Sequence, residues 1–168
     1  MSLKPAVRLN RRIADIGKAA WEACAAPSGN PFVAYDFLDV LEQSGCAVER
    51  TGWGPQHLAI EDEAGEVGAV MPLYLKSHSQ GEYIFDHSWA DAYERAGGRY
   101  YPKLLAAAPF TPATGPRLLV RSDIPAEAGY EMLLGGALTL CQQMGVSSVH
   151  INFPPQAEWD WLGAQGLA

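Results

Sequence analysis

Apolar residues recur at Ile13, Ile16, Ala20 and Cys24, while Asp15, Lys18 and Glu22 fill the other face, so the spacing predicts an amphipathic helix over about 13–25. Val7 to Leu9 reads as a short strand before it, and Pro27-Ser28-Gly29-Asn30-Pro31 breaks the chain after it. A second helix starts at Pro31 or Ala34, buries Phe37, Leu38 and Leu41, and stops near Ser44-Gly45. Gln56 to Ile60 and Glu66 to Lys76 then read as strands around the acidic turn Glu61 to Gly65, where Gly65 supplies the positive φ of an antiparallel hairpin. Glu82 to Asp86 reads as the third strand of a meander.

A short helix carrying Trp89, Ala92 and Tyr93 follows, capped by Asp86 or Ser88 and ended by Gly97-Gly98. Lys103 to Ala107 is extended and Arg117 to Val120 is a strand. The clearest helix is 126–144, with Tyr130, Leu133, Leu134, Ala137, Leu138, Cys141 and Met144 on one stripe, Pro125 before it and Gly145 after it. Val146 to Phe153 alternates apolar Val149, Ile151 and Phe153 with Ser148, His150 and Asn152, and a last helix begins near Ala157. This order predicts an α/β protein, a mixed sheet with helices on both faces. Gly163 to Ala168 reads as the helix-to-strand turn of a sheet whose final strands are missing.

The 168 residues suffice for one domain, and 48% hydrophobic content excludes a disordered chain. A net charge of -7 argues against DNA, RNA or an acidic membrane surface as the main partner, yet leaves room for a local basic pocket. The three cysteines lack metal-ligand spacing and read as reduced residues of a cytoplasmic protein, and no metal site is expected. No signal peptide is visible, and no apolar run approaches the roughly 20 residues that span a bilayer.

Candidate chemistry concentrates around 86–119, where Pro102, Pro109, Pro112 and Pro116 stiffen the chain. Lys103, a lone lysine among aromatics, either holds a substrate carboxylate or phosphate or reaches solvent from its strand. Arg117 offers a planar fork to an anion or is a surface charge. In Asp86-His87-Ser88 the carboxylate orients a general base, if the chain turns there, or caps the helix. His150 and Asn152 contact ligand or satisfy one another inside the fold. Tyr100, Tyr101, Trp89 and Phe110 line a pocket or fill the core, and Thr111 and Thr114 complete the substrate-binding set.

The element order is similar to the acyl-CoA N-acyltransferase fold of the GNAT superfamily. Asn30-Pro31-Phe32, Phe37-Leu38, Leu41-Glu42-Gln43-Ser44-Gly45 and Met71-Pro72-Leu73-Tyr74-Leu75-Lys76 point more narrowly, as do Glu82 to Asp86, Trp89-Ala90, Tyr100 to Leu104 and Pro109 to Leu118. Over residues 30 to 162 the chain resembles the amino-terminal half of FemAB-like proteins of peptidoglycan biosynthesis or recognition. That resemblance implies a tandem protein of about twice this length, in which the present chain is the first domain and a carboxy-terminal domain is its partner. It implies transfer of an acyl or aminoacyl group to an amine of a peptidoglycan-precursor-like ligand, with acyl-CoA or aminoacyl-tRNA as donor. His87 and Asp86 are then the catalytic candidates. GNAT enzymes hold the donor diphosphate on a basic, glycine-rich turn, whereas Arg121 to Glu127 offers one arginine, two acids and no glycine cluster. The alternatives are a non-catalytic recognition or assembly domain with a degenerate GNAT fold, and a homodimer formed through an exposed sheet edge.

Overall fold

The computed structural model describes residues 3–84 and 86–167. Strand β1 (Leu3–Asn10) is followed by helices α1 (Lys18–Ala25) and α2 (Tyr35–Gln43), then strands β2 (Trp53–Pro55), β3 (His57–Asp62), β4 (Val67–Met71) and β5 (Tyr74–Lys76). Helix α3 (His87–Arg95), strands β6 (Lys103–Ala106) and β7 (Leu119–Val120), helix α4 (Ala126–Met144), strand β8 (Val149–Ile151) and helix α5 (Gln156–Ala164) complete the order. One sheet runs β1-β3-β4-β7 and the other β2-β5-β6-β8. All pairings are antiparallel except β6 with β8, which aligns Leu105 with His150.

The two sheets are joined because the hairpin strands pass from one to the other. Gln56 separates β2 from β3, Pro72-Leu73 separates β4 from β5, and the Gln56 N–H donates to the Leu73 carbonyl at 2.8 Å. The period of two sorts the strands between two cores. Leu58, Ile60, Ala69 and Met71 pack under Leu133, Leu134 and Ala137 of α4, while Ala59, Val70 and Leu119 face Ile13, Trp21 and Leu38 on the side of α1 and α2. The mixed sheet covered on both faces is the expected one.

Local departures have local causes. The helix expected over 13–25 is split by Gly17, whose φ of 89° no continuous helix accepts, into a single 3-10 turn and α1. On α4 the stripe runs through Leu140, and Leu138 is left exposed. The hairpin turn is as read: Gly65 has φ 88°, and the Asp62 N–H donates to the Glu66 carbonyl. The expected third strand over Glu82 to Asp86 is not formed by its described residues. Tyr83 sits at φ 58°, the chain leaves the sheet, and Glu82 and Asp86 turn inward; Phe85 lies outside the described residues. The strand that extends the hairpin is instead β6, paired with β5 through Lys76 and Lys103.

Candidate active site around Lys103

Lys103 opens β6 and is 1% exposed, so its ammonium must be compensated inside the protein. The loop before α3 supplies two carboxylates: Nζ lies 2.8 Å from Asp86 Oδ2 and 2.9 Å from Glu82 Oε2. The rings of Tyr100 and Tyr101 flank it, with centroids 5.0 and 5.2 Å from Nζ. Asp86 is fully engaged, because Lys103 and the Tyr100 hydroxyl, at 2.7 Å, both donate to it. Glu82 is not: its approach to Lys103 is close but misaligned for a hydrogen bond, and neither oxygen has a hydrogen-bond partner among the described residues.

These groups face a cavity of about 320 Å³ bounded by Glu82, Asp86, Tyr100, Lys103, His150 and Asn152, with Ile84 and Trp89 at its side. Strand pairing explains the convergence, since Lys103 and Leu105 on β6 and His150 on the neighbouring β8 alternate toward one face. Asn152 follows on that face just past β8, its N–H held by the Ala106 carbonyl at 3.0 Å, and its side-chain Nδ2 is buried without a partner among the described residues. Two residues that border the cavity, Glu82 and Asn152, therefore carry buried polar atoms with no hydrogen-bond partner among the described residues.

Electrostatics separate the two carboxylates. Burial pushes the Glu82 carboxyl up, and attraction to Lys103 does not offset it. Burial acts on Asp86 in the same sense but is outweighed by the hydrogen bonds from Lys103 and Tyr100, which hold it below the usual range. Burial and then the Lys103 charge press His150 down to about 4, so its imidazole is neutral at pH 7. Burial and the acidic pair raise both tyrosines well above their ordinary value. Beside them Lys76 lies 3.8 Å over the Trp53 ring and is lowered to about 8 by burial. The cavity is thus bordered by one carboxyl held below the usual range and one raised above it, both ion-paired with Lys103.

The other residues singled out in the sequence lie elsewhere. Asp86 and His87 do not face one another: His87 is exposed at the start of α3, with Nδ1 3.5 Å from Ser79 Oγ, while the Asp86 carboxylate serves Lys103. Asp86 is also no side-chain cap of α3. Trp89 is 75% exposed at the rim. Thr111 donates to the Pro109 carbonyl and Thr114 is exposed, with its carbonyl accepting from Asn30 Nδ2. Arg117 is neither a surface charge nor open to a ligand, since it is 0% exposed and donates to the carbonyls of Asn152, Ala113 and Pro116. His150 donates to or accepts from Ser148 Oγ at 2.8 Å and does not pair with Asn152.

A family model described as FemAB-like, peptidoglycan biosynthesis/recognition, matches residues 12–168. The chain belongs to the FemAB-like family. Its fold is shared with three solved structures, two of them acetyltransferases and one of these of the GNAT family. An acetyltransferase of Trypanosoma brucei is 10% identical, covers 97% of this chain and 92% of its own at a TM-score of 0.56. A GNAT family acetyltransferase of Staphylococcus aureus is 11% identical with 90% and 87% covered at 0.52. A tetramutant of the BH1408 protein from Bacillus halodurans is 12% identical with 97% and 93% covered at 0.52. No curated protein matches the sequence.

In the FemAB-like chain the segment before and into α4, Arg121 to Glu127, holds one arginine and no glycine. Arg121 spends its guanidinium on Asp62 and Asp123, at 2.6 Å each, and on the Val67 carbonyl, and Glu127 adds a negative charge to the first helical turn. Among the described residues no group of His, Cys, Asp and Glu is placed to hold a metal, and no helix is long and apolar enough to cross a membrane.

The sequence reading passed over two polar centres. The alternation places Glu82 in a strand, although Glu82 and Asp86 bracketing aromatics ahead of a lone lysine is a pattern that marks it. The second centre is a buried relay: His57 is 0% exposed, its Nδ1 accepts from the Leu73 N–H, and its Nε2 donates to Glu42 Oε1 at 2.8 Å. No spacing rule joins residues on α2 and β3.

Proposed function

We propose that this FemAB-like chain recognises a primary amine of a peptidoglycan-precursor-like peptide in the Lys103 cavity and presents it for acyl or aminoacyl transfer. The single observation that supports this reading is the buried Glu82 carboxyl, which borders the cavity, is raised in proton affinity and has, beyond its ion pair with Lys103, no hydrogen-bond partner among the described residues. An amine enters as the ammonium, which the Asp86 and Glu82 carboxylates attract against the charges of Lys103 and the neighbouring Lys76. Glu82 takes its proton, because burial has moved that carboxyl toward the range in which it acts as a general base. The freed lone pair forms the new nitrogen–carbon bond, the bond from the acyl carbon to its carrier breaks with the carrier taking the second nitrogen proton, and the unpartnered Asn152 Nδ2–H donates to the oxygen that gathers charge. Lys103 and Tyr100 hold Asp86 ionised, so that the cavity keeps its attraction for the amine. In this reading a following domain completes the donor side.

The test is calorimetric titration with a precursor peptide ending its side chain in a free amine, beside the same peptide acetylated on that amine. Binding of the free form that is lost on acetylation and weakened at least tenfold in Glu82→Gln, with His87→Ala unchanged, is the expected result. Equal binding of both peptides, or of neither, overturns the reading. With an activated acyl ester as donor, Glu82→Gln should slow transfer by about 10²- to 10⁴-fold. The engaged Arg121 favours a second reading, recognition of the amine without catalysis. Under it Glu82→Gln weakens binding and no transfer is seen.

A further inference from the structure

A cavity of about 790 Å³ lies away from Lys103, where β1 ends and α2 crosses the start of the hairpin. Its volume falls in the range of small-molecule sites. Gln56 lines it at 2% exposure, and the side-chain Oε1 is buried with no hydrogen-bond partner among the described residues. An acceptor in that condition costs stability unless a donor reaches it. Glu42 forms the adjacent wall with a side chain 7% exposed, and it meets only donors: the His57 Nε2–H at 2.8 Å and the Ile13 N–H at 3.1 and 3.2 Å. A carboxylate has about four acceptor positions, so Glu42 retains capacity for a further donor. Asp39 and Glu49 add two further negative charges to the lining, and the exposed Arg11 and Arg12 border it, Arg12 being paired with Asp15 at 3.2 Å.

We propose that this cavity is a second binding site, for a zwitterionic short peptide, with the peptide ammonium on Gln56 Oε1 and Glu42 and its carboxylate on Arg11. The floor offers acceptors, which demand a donor-rich and positively charged group, and an ammonium meets both conditions. The rim guanidinium demands the opposite charge, and a peptide carries both on one molecule. His57 positions the Glu42 carboxylate from behind, its tautomer fixed by the Leu73 N–H. The proposal is independent of the acyl-transfer reading, since none of these residues borders the Lys103 cavity.

Titration with trialanine tests it, beside N-acetyl-trialanine, which lacks the ammonium, and trialanine amide, which lacks the carboxylate. Trialanine should bind, and each blocked form should bind at least tenfold more weakly. Gln56→Leu should weaken trialanine at least tenfold and close the gap to the N-acetyl form, while Arg11→Ala, at an exposed position that leaves folding intact, should close the gap to the amide. Failure of trialanine to bind the wild-type chain, or equal binding of all three peptides, overturns the proposal. So does Arg11→Ala binding trialanine and its amide with the wild-type ratio. Glu82→Gln should leave trialanine binding unchanged, which keeps this outcome apart from that at Lys103.

Discussion

Lys103 and Arg117 are both buried cations at the two ends of one proline-rich stretch, at 1% and 0% exposure, yet their surroundings differ in kind. Arg117 ends its donors on three neutral backbone carbonyls, at 3.0, 3.2 and 2.9 Å, while Glu158 accepts from the Arg117 and Leu118 N–H groups. Burial draws the guanidinium down to about 10, opposed by the Glu158 charge. The Asn152 carbonyl after β8 and the Glu158 carboxylate of α5 tie the irregular segment after β6 to its neighbours, while the Ala113 and Pro116 carbonyls close the segment on itself, so the arginine is a clamp. Lys103 instead compensates two carboxylates, leaves Glu82 without a directed partner and faces a cavity. A buried cation that closes all its contacts on backbone maintains the fold. One that leaves polar atoms unpaired at a cavity is placed for a ligand.

The contrast can be broken from either end. Removing the lysine should have the larger effect, because it strands charges: Lys103→Met is expected to lose about 3–5 kcal/mol of unfolding free energy at pH 7. Without the ammonium both carboxyls bind protons more tightly folded than unfolded, so stability should return as pH falls toward their unfolded values. Urea unfolding at pH 7 and pH 5 reads this, and an equal loss at both would remove charge as the cause. Arg117→Ala strands mainly neutral carbonyls and should cost about 2–3 kcal/mol by the same measurement. Arg117→Lys should recover only part, since an ammonium cannot span three carbonyls held by a planar fork.

A pH dependence sharpens the clamp itself. Burial raises Glu158 from an ordinary value of 4.5 to about 7, against the N–H groups of Arg117 and Leu118 and the Arg117 charge. A carboxyl raised on folding contributes stability that is full below its unfolded value and is lost as pH rises through the folded one. The wild type should therefore lose stability between about pH 4.5 and 7, by at most about 1.4 kcal/mol per pH unit from this group. Glu158→Gln should remove that slope in urea titrations across the window, and an unchanged slope would assign it to other groups.

The stripe of α4 and the acidic turn with Gly65 were legible because helix and strand periods are local properties of the chain. So were Asp86, Trp89, Tyr100, Lys103, His150 and Asn152 as polar or aromatic residues in an apolar setting, and these six border one cavity. The split at Gly17 and the departure of Glu82 to Asp86 from the sheet were less legible, since each depends on what the neighbouring segment buries. The Glu42–His57 relay was not legible at all, being fifteen residues apart on different elements.

The sequence by itself determined the type and order of most elements, the faces they bury and the family to which the chain belongs. Only the tertiary structure decided which charges meet. Periodicity reports the side of an element that leaves water, whereas the fate of a buried charge is set by partners from other elements within about 3–4 Å. That is why two basic residues with the same sequence signature became a clamp at Arg117 and a candidate site at Lys103.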